Sequence, residues 1–443
     1  MDSGLLSLIG IILGIALLIV LVYKGLNLTV SVIIALIVIA LFSGMNPYTL
    51  ISNEFISGFG TYATSTGLMF IGCTLFGAVL GASGAAAGIA KVLLKIVNLA
   101  PEKYRWFVAA CVMTLINFIL TYGGISGMVI IFTLLPIGKE MFEKLDMPWH
   151  LCMLMTYGSA SAAIWLVGSP QIQNLLPMDI LGTKATAGLG LSIIAIVLGT
   201  IFWALYAFYC VRKAKKEDEH FLPTGARIQQ DPTFGEVELD DAPNFIVSLI
   251  PSIVLIVLLN VFELPIAVCC FVGIIVTIIL FYKRMGMAGL KKSLADGITN
   301  CAAVVFGVCS CYGLGTAIQA VSGYEYVVNA LYSLPGGSYF QFFIAITIMC
   351  GVTGSGQSGL SIGLSSLADH YLDLGLNANA MHRIGVIACS GLDTLPHNSS
   401  VVMCLNYSKL TYKEAYKHWL NITIIQPLIV CAICCVFASM GVV

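Results

Sequence analysis

Charge is what this chain has least of. Asp, Glu, Lys and Arg make up 10% of its 443 residues, where a soluble domain carries about 25%. With 59% hydrophobic residues, a water-soluble globule is excluded. The net charge is -1 and no basic patch sits outside the loops, so nothing points to a nucleic-acid partner. The alternating segments of about 10 residues that build a β-barrel are missing. Met1-Asp2-Ser3-Gly4 lacks the basic n-region and small-residue cleavage site of a signal peptide, and the first apolar run is expected to stay as a span. No His-Glu-x-x-His occurs, which removes the common zinc-protease chemistry. No metal or cofactor is expected.

What the chain has instead is apolar length. Runs at 4–22, 26–44, 191–210, 244–262, 264–282 and 419–441 are long enough to cross a bilayer core of about 30 Å. An all-α polytopic membrane protein follows. Most of the 15 cysteines lie inside such runs, where Cys behaves as a small hydrophobe. Cys431-Ala432-Ile433-Cys434 has redox or metal spacing, but lies in the last apolar run without the context that chemistry needs.

Two apolar stretches are broken by one polar pattern, Thr-x-x-Gly-x-Ser-Gly. The copies are Thr121-Tyr122-Gly123-Gly124-Ile125-Ser126-Gly127 and Thr353-Gly354-Ser355-Gly356-Gln357-Ser358-Gly359. Irregular backbone at membrane depth is tolerated only where protein buries it or a watery cavity solvates it. Matched breaks in two halves of a chain point to the binding site of a secondary transporter. Each copy is read as the tip of a re-entrant hairpin, over 105–138 and 338–370. A second break follows each hairpin, Gly168-Ser169-Pro170-Gln171-Ile172-Gln173-Asn174 within 149–178 and Ser390-Gly391-Leu392-Asp393-Thr394-Leu395-Pro396-His397-Asn398 within 383–408. Proline removes an amide donor there and breaks the helical ladder. A Ser-Gly also precedes each hairpin, at Ser83-Gly84 and Ser322-Gly323, for close helix packing or for lining the site.

The expected organisation is therefore two inverted-topology repeats on a scaffold, each repeat with a hairpin and a broken helix. N-terminal scaffold spans occupy 1–66 and the first repeat 67–210. A cytoplasmic linker covers 211–242, further scaffold spans 243–296, and the second repeat 297–443. On that layout all of the 21 basic residues except Lys184 and Arg383 fall on one face. The positive-inside rule makes that face cytoplasmic and leaves both termini outside. Were 105–138 to cross the membrane, Lys139 and Lys144 would change face and the bias would collapse. The mixed-charge linker reads as a solvated connector. His150 and His382 are expected at the water interface without a special role.

Two hairpin tips and two broken helices bring half-helix ends toward the midplane, where free N–H groups receive an anion and free oxygens a cation or hydroxyls. The direct-contact candidates are Gly124, Ser126 and Gly127 on the first tip, and Gly356, Gln357, Ser358 and Gly359 on the second, with Asn398. The serines could equally cap the second hairpin arms. Thr121, Thr353, Ser169, Gln171, Asn174 and Thr394 are secondary candidates, and Asn117 could cross-link helices. Asp393 and His397 have no counterpart in the first half. Ionisable groups inside a membrane mark function by default, and His titrates near neutral pH. The pair is a candidate proton carrier, with substrate contact and a structural cap as alternatives.

The stretch Ser390–Asn398, with Ser83-Gly84 and Gly123-Gly124-Ile125-Ser126-Gly127, resembles the gluconate permease (GntP) family of the ion transporter superfamily, and within it the branch of 3-hydroxybutyrate permeases. The resemblance covers nearly the whole chain. It implies a bacterial inner-membrane importer of sugar acids or short hydroxy acids, usually proton-coupled, working as a homodimer with elevator-type movement. Carried onto this chain, the binding residues are Ser126, Ser358, Asp393, His397 and Asn398. Its partners would be a small organic anion and the bilayer. Sodium coupling to a di- or tricarboxylate is the nearest alternative, although the near absence of Arg from the expected core favours a single carboxylate. An intramembrane serine protease fits the duplicated Gly-x-Ser-Gly poorly, because His397 could serve as base to one copy only. A channel fits poorly with hairpins from both sides. A carrier, not an enzyme, is expected.

Overall fold

The computed structural model describes residues 3–24, 26–122, 127–156, 158–169, 171–231, 241–262, 264–332 and 337–443. Helices, joined by turns and short irregular connections, make up the fold, without a strand among the described residues. The scaffold begins with α1 (Ser3–Tyr23) and α2 (Leu28–Phe42), then α3 (Ile56–Ala82) and α4 (Ala85–Asn98). The first repeat continues with α5 (Arg105–Tyr122), α6 (Gly127–Lys144), α7 (Gly158–Trp165), α8 (Ile172–Leu181) and α9 (Leu189–Lys216). After the linker come α10 (Phe245–Asn260), α11 (Ile266–Gln319) and α12 (Gly323–Tyr332). The second repeat closes with α13 (Ser338–Thr353), α14 (Gly356–Asp373), α15 (Ala378–Ala388), α16 (Ser399–Ser408), α17 (Tyr412–Trp419) and α18 (Gln426–Ser439). Among the described residues five helices are long and apolar enough to cross a membrane, or six if one bent pair is a single span. The 15 cysteines are all free thiols, Cys431 and Cys434 among the buried ones.

Both Ser-Gly pairs interrupt helices. Gly84 (φ 76°) separates α3 from α4, and Gly323 starts α12 with its N–H on Ser7 Oγ at 2.8 Å. Helix α11 bends sharply at Gly286 (φ 63°, ψ 175°), among Lys283, Arg284, Lys291 and Lys292. It packs along α10 and α3.

The helix pairs α5–α6 and α13–α14 are closed hairpins. The Trp106 indole N–H, at the start of α5, donates to Leu145 O at 2.9 Å, just past the end of α6. In the second pair the Asn377 amide, beyond the end of α14, donates to the hydroxyl of Tyr339 near the start of α13, at 3.1 Å. The second pair crosses closely because Gly359 has no side chain. A Cβ there would come within 2.3 Å of Cys350 Cα.

Helix α9 shows that the hairpins enter from opposite faces. Its 28 residues span about 42 Å at 1.5 Å each. At its start, a Cβ on Gly188 would stand 2.9 Å from Asn379 O, beside the base of the second hairpin. At its end, Lys215 Nζ donates to the carbonyls of Glu102 and Lys103 at 3.2 and 3.0 Å, at the base of the first. The repeats also exchange elements: α8 packs on α14 and α15, while α16 packs on α6. This is the inverted pair that matched breaks imply.

The linker's described part is docked. Phe221 and Ile228 are buried, Lys409 Nζ meets Asp231 Oδ2 at 2.7 Å, and Arg227 pairs with Glu414.

Candidate functional site

The second repeat supplies the better described half of the site. Helix α13 ends where Thr353 Oγ1 bonds back to Met349 O at 2.9 Å, and Gly354 turns left-handed (φ 62°) to close it. That φ strains any residue with a Cβ, and a Cβ would also meet the His397 ring at 2.6 Å. Ser355 then adopts an extended conformation and its Oγ accepts from Ser358 N at 3.3 Å, capping α14. Gly356 to Gly359 thus form the first turn of α14; Ser358 N is taken by the cap and Gly359 N donates to Ser355 O at 2.9 Å, so the turn's orphan amides are those of Gly356 and Gln357. Gln357 and Ser358 are half-buried there.

Across from this tip lies the second break. Helix α15 stops at Ala388, a single 3-10 turn covers Leu392–Thr394, and α16 restarts at Ser399. Asn398 makes the restart: its Oδ1 accepts from Ser400 N and Val401 N at 2.6 and 3.1 Å, and its Nδ2 donates to Gly354 O at 2.8 Å. His397 Nε2 sits 3.1 Å from Gly351 O. A carbonyl only accepts, so Nε2 carries the hydrogen and Nδ1 faces the interior without a partner. Asp393 Oδ1 is likewise buried and unpartnered. A Cβ on Gly356 would stand 2.9 Å from Asp393 Oδ2, so the carboxylate rests on the hairpin tip. Asp393 and His397 therefore do not bond each other; each faces a different point of that tip. Thr394 turns away, its hydroxyl 2.6 Å from Thr423 Oγ1.

The first break repeats the device. Gln171 at the start of α8 donates through Nε2 to Thr121 O at 2.7 Å, as Asn398 does to Gly354. Thr121 Oγ1 bonds Asn117 Oδ1 at 3.1 Å, and the Asn117 amide reaches Met155 O at 3.0 Å, a cross-link between helices. Asn174 Nδ2 holds Ser169 O at 2.9 Å, while Ser169 Oγ is buried without a partner. Gly124 and Ser126 lie outside the described residues, and Gly127 opens α6. The two breaks adjoin, since the Trp165 indole donates to Ser390 Oγ at 3.2 Å.

Three polar residues expected at the water surface are instead internal. Arg383 is fully buried and donates to Ala187 O through Nε and Nη2 (3.2 and 2.8 Å) and to Trp165 O through Nη1 (2.9 Å). It holds the open carbonyl end of α7, where a cation also suits the helix dipole. His382, beside it, bridges Thr183 Oγ1 at 2.7 Å and Asn174 Oδ1 at 3.1 Å. His150 joins Glu219 Oε2 and His418 Nε2, both at 2.9 Å. The sequence carried one weak signal, polar residues heading an apolar run at 382–388. The core does contain Arg, but its guanidinium is directed at backbone oxygens.

Unpartnered polar atoms at membrane depth each cost several kcal/mol in order of magnitude, and Asp393 Oδ1, His397 Nδ1 and Ser169 Oγ are three such atoms at the two breaks. Inverted hairpins and broken helices around such atoms define a membrane transporter. Comparison with known proteins agrees at that level. Residues 176–362 match the family described as "Tripartite ATP-independent periplasmic transporter, DctM component", less than half of the chain. A Bacillus subtilis protein described as the uncharacterized transporter YxjC is 25% identical over 481 residues, covering 99% of this chain and 100% of that protein. The crystal structure of the Alcanivorax borkumensis YdaH transporter, said to have an unusual topology, is similar at 15% identity and a TM-score of 0.41, covering 88% of each chain. That last likeness is too distant to argue from.

The resemblance to the gluconate permease family is thereby corrected: the family match and the relative point to a DctM-like transporter. The physical reason is visible in the stretch that carried it. Within 390–398, Asn398 is a helix cap and clasp, Thr394 a packing bond and Pro396 part of the break. Those are demands of a broken membrane helix, and they do not specify a substrate.

Proposed function

We propose that the chain is a secondary active transporter that moves a small hydroxylated carboxylate with a proton. The observation that carries this reading is the pair of buried, unpartnered atoms, Asp393 Oδ1 and His397 Nδ1, on a broken helix against the hairpin tip. An acid and an imidazole with spare sites can load and release a proton. The capped, glycine-rich first turn of α14 offers amides to a carboxylate. By likeness to the matched family, transport draws on no ATP and the chain works with two further components. The same reading makes the chain a carrier and not an enzyme, a homodimer in a bacterial inner membrane with both termini outside. Its hairpins would move against the α1–α2 scaffold in an elevator-type cycle.

The test is uptake into proteoliposomes of labelled D-3-hydroxybutyrate, gluconate and succinate. A pH gradient, a sodium gradient and internal ATP would be imposed separately. Uptake of a hydroxy acid on the pH gradient, once the two further components are supplied, supports the reading. Uptake that needs sodium or ATP overturns the coupling, and succinate as the sole substrate overturns the single carboxylate. Full-rate uptake by the chain alone overturns the three-component assembly.

A further inference from the structure

A cavity of about 850 Å³ opens where α4 ends, α5 begins and α6 and α9 end. Its wall carries Lys91, Lys95, Arg105, Lys144 and Lys215, with Trp106 between them. The acids on the same wall are mostly committed. Asp146 accepts from His220 Nδ1 at 2.7 Å and from Phe221 N at 3.1 Å, Glu219 is bonded to His150, Asp218 lies 3.7 Å from His220 Nε2, and the exposed Glu102 is the fourth acid of the wall. Lys215 Nζ stands 5.0 Å over the Trp106 ring. Lys215 and Arg105 also donate to the backbone carbonyls of Glu102, Lys103 and Ala100; the five basic residues outnumber the four acids on this concave wall, and an anion there complements that excess.

The cavity continues into an apolar face. Ile201, Phe208 and Lys215 follow at intervals of seven residues, which places them on one side of α9. Ile193, Val197, Ile201, Leu205 and Phe208 are all exposed along that helix. Phe208 meets Phe107 of α5 edge-on at 5.6 Å, so the stripe borders the cavity directly. Tryptophan at such a level is characteristic of the membrane–water boundary. Cations above and exposed hydrocarbon below match a molecule with an anionic head and apolar tails.

We propose that this cavity binds the phosphate of an anionic membrane phospholipid, with its acyl chains along the α9 stripe. Basic pockets between membrane helices on the cytoplasmic side bind such headgroups.

The purified full chain would be reconstituted with phosphatidylglycerol or phosphatidylcholine brominated high on the acyl chains. Trp106 is half-buried while Trp149, Trp165, Trp203 and Trp419 are buried, so quenching should reach Trp106 and vanish in Trp106→Phe. Stronger quenching by the phosphatidylglycerol is expected, and equal quenching by both lipids overturns the proposal. Native mass spectrometry then compares the combined Lys95→Gln, Arg105→Gln and Lys144→Gln variant with a control carrying Lys283→Gln, Lys291→Gln and Lys292→Gln. Retained phosphatidylglycerol should fall at least about tenfold in the first and stay in the second. Equal retention, or equal loss in both, overturns the site. Displacement of the brominated lipid by soluble glycerol phosphate would make a free phosphate ester the occupant and overturn the lipid.

Discussion

Asn398 holds three hydrogen bonds with one side chain, two on the first amides of α16 and one on Gly354 O. Asn398→Ala removes the cap and strands a buried carbonyl, at about 2–4 kcal/mol together. Asn398→Ser keeps the cap and loses only the clasp, so thermal unfolding in detergent should place it between parent and Ala. Equal stability of all three would show that the clasp contributes nothing. In the proposed mechanism Asp393 acts in transport instead. Asp393→Asn should abolish uphill uptake on a pH gradient and spare exchange; uphill uptake retained near the parent rate would remove Asp393 from the coupling. Asp393 and His397 were legible in the sequence because a lone acid and imidazole stand out in an apolar run. The role of Asn398 as a clasp was not, since its partner lies 44 residues away. Arg383 was misplaced because a cation heading an apolar run fits an interface as well as a buried carbonyl end.

At the scale of elements, the hairpins depend on how near two helices come. Gly359→Ala would push a methyl toward Cys350 Cα and part α13 from α14, at about 1–3 kcal/mol. The expected result is a lower unfolding temperature with weakened transport, and an unchanged protein would mean the arms relax freely. The linker gives a pH-dependent element outside the membrane. His220 is raised above its ordinary 6.5, first by its hydrogen bond to Asp146, and Asp146 is lowered from 3.8, first by the Phe221 amide and then by His220. A raised His contributes below its unfolded value and loses that as pH rises through the folded one. A lowered Asp contributes above its unfolded value and loses that as pH falls. The pair is complete from about pH 4 to 6.5. The protection factor of amides around Phe221, the intrinsic exchange rate at each pH divided by the observed one, should be highest near pH 5 and lower at pH 8, and protection constant with pH would remove the pair as the anchor. Helix breaks were legible here because Gly and Pro punctuate apolar runs; the docking of the linker was not, because its charges suit solvent equally well.

At the scale of the molecule, the opposed hairpin bases at the two ends of α9 fix the orientation of the repeats. Lys184→Cys and Lys291→Cys should react with impermeant maleimide from opposite sides of the membrane. Labelling of both from one side would break the inverted arrangement. The sequence by itself determined that the chain lives in a bilayer, that its helices break twice per half, and that Asp393 and His397 are the ionisable pair of the second break. Those follow from local chemistry, since hydropathy, proline and glycine act on neighbouring residues. Only the tertiary structure decided that Gln171 and Asn398 clasp the hairpins, that Arg383 closes the end of α7, and that five basic residues share one cavity wall. Each joins residues distant in the chain, and side-chain type alone does not name the partner that burial supplies.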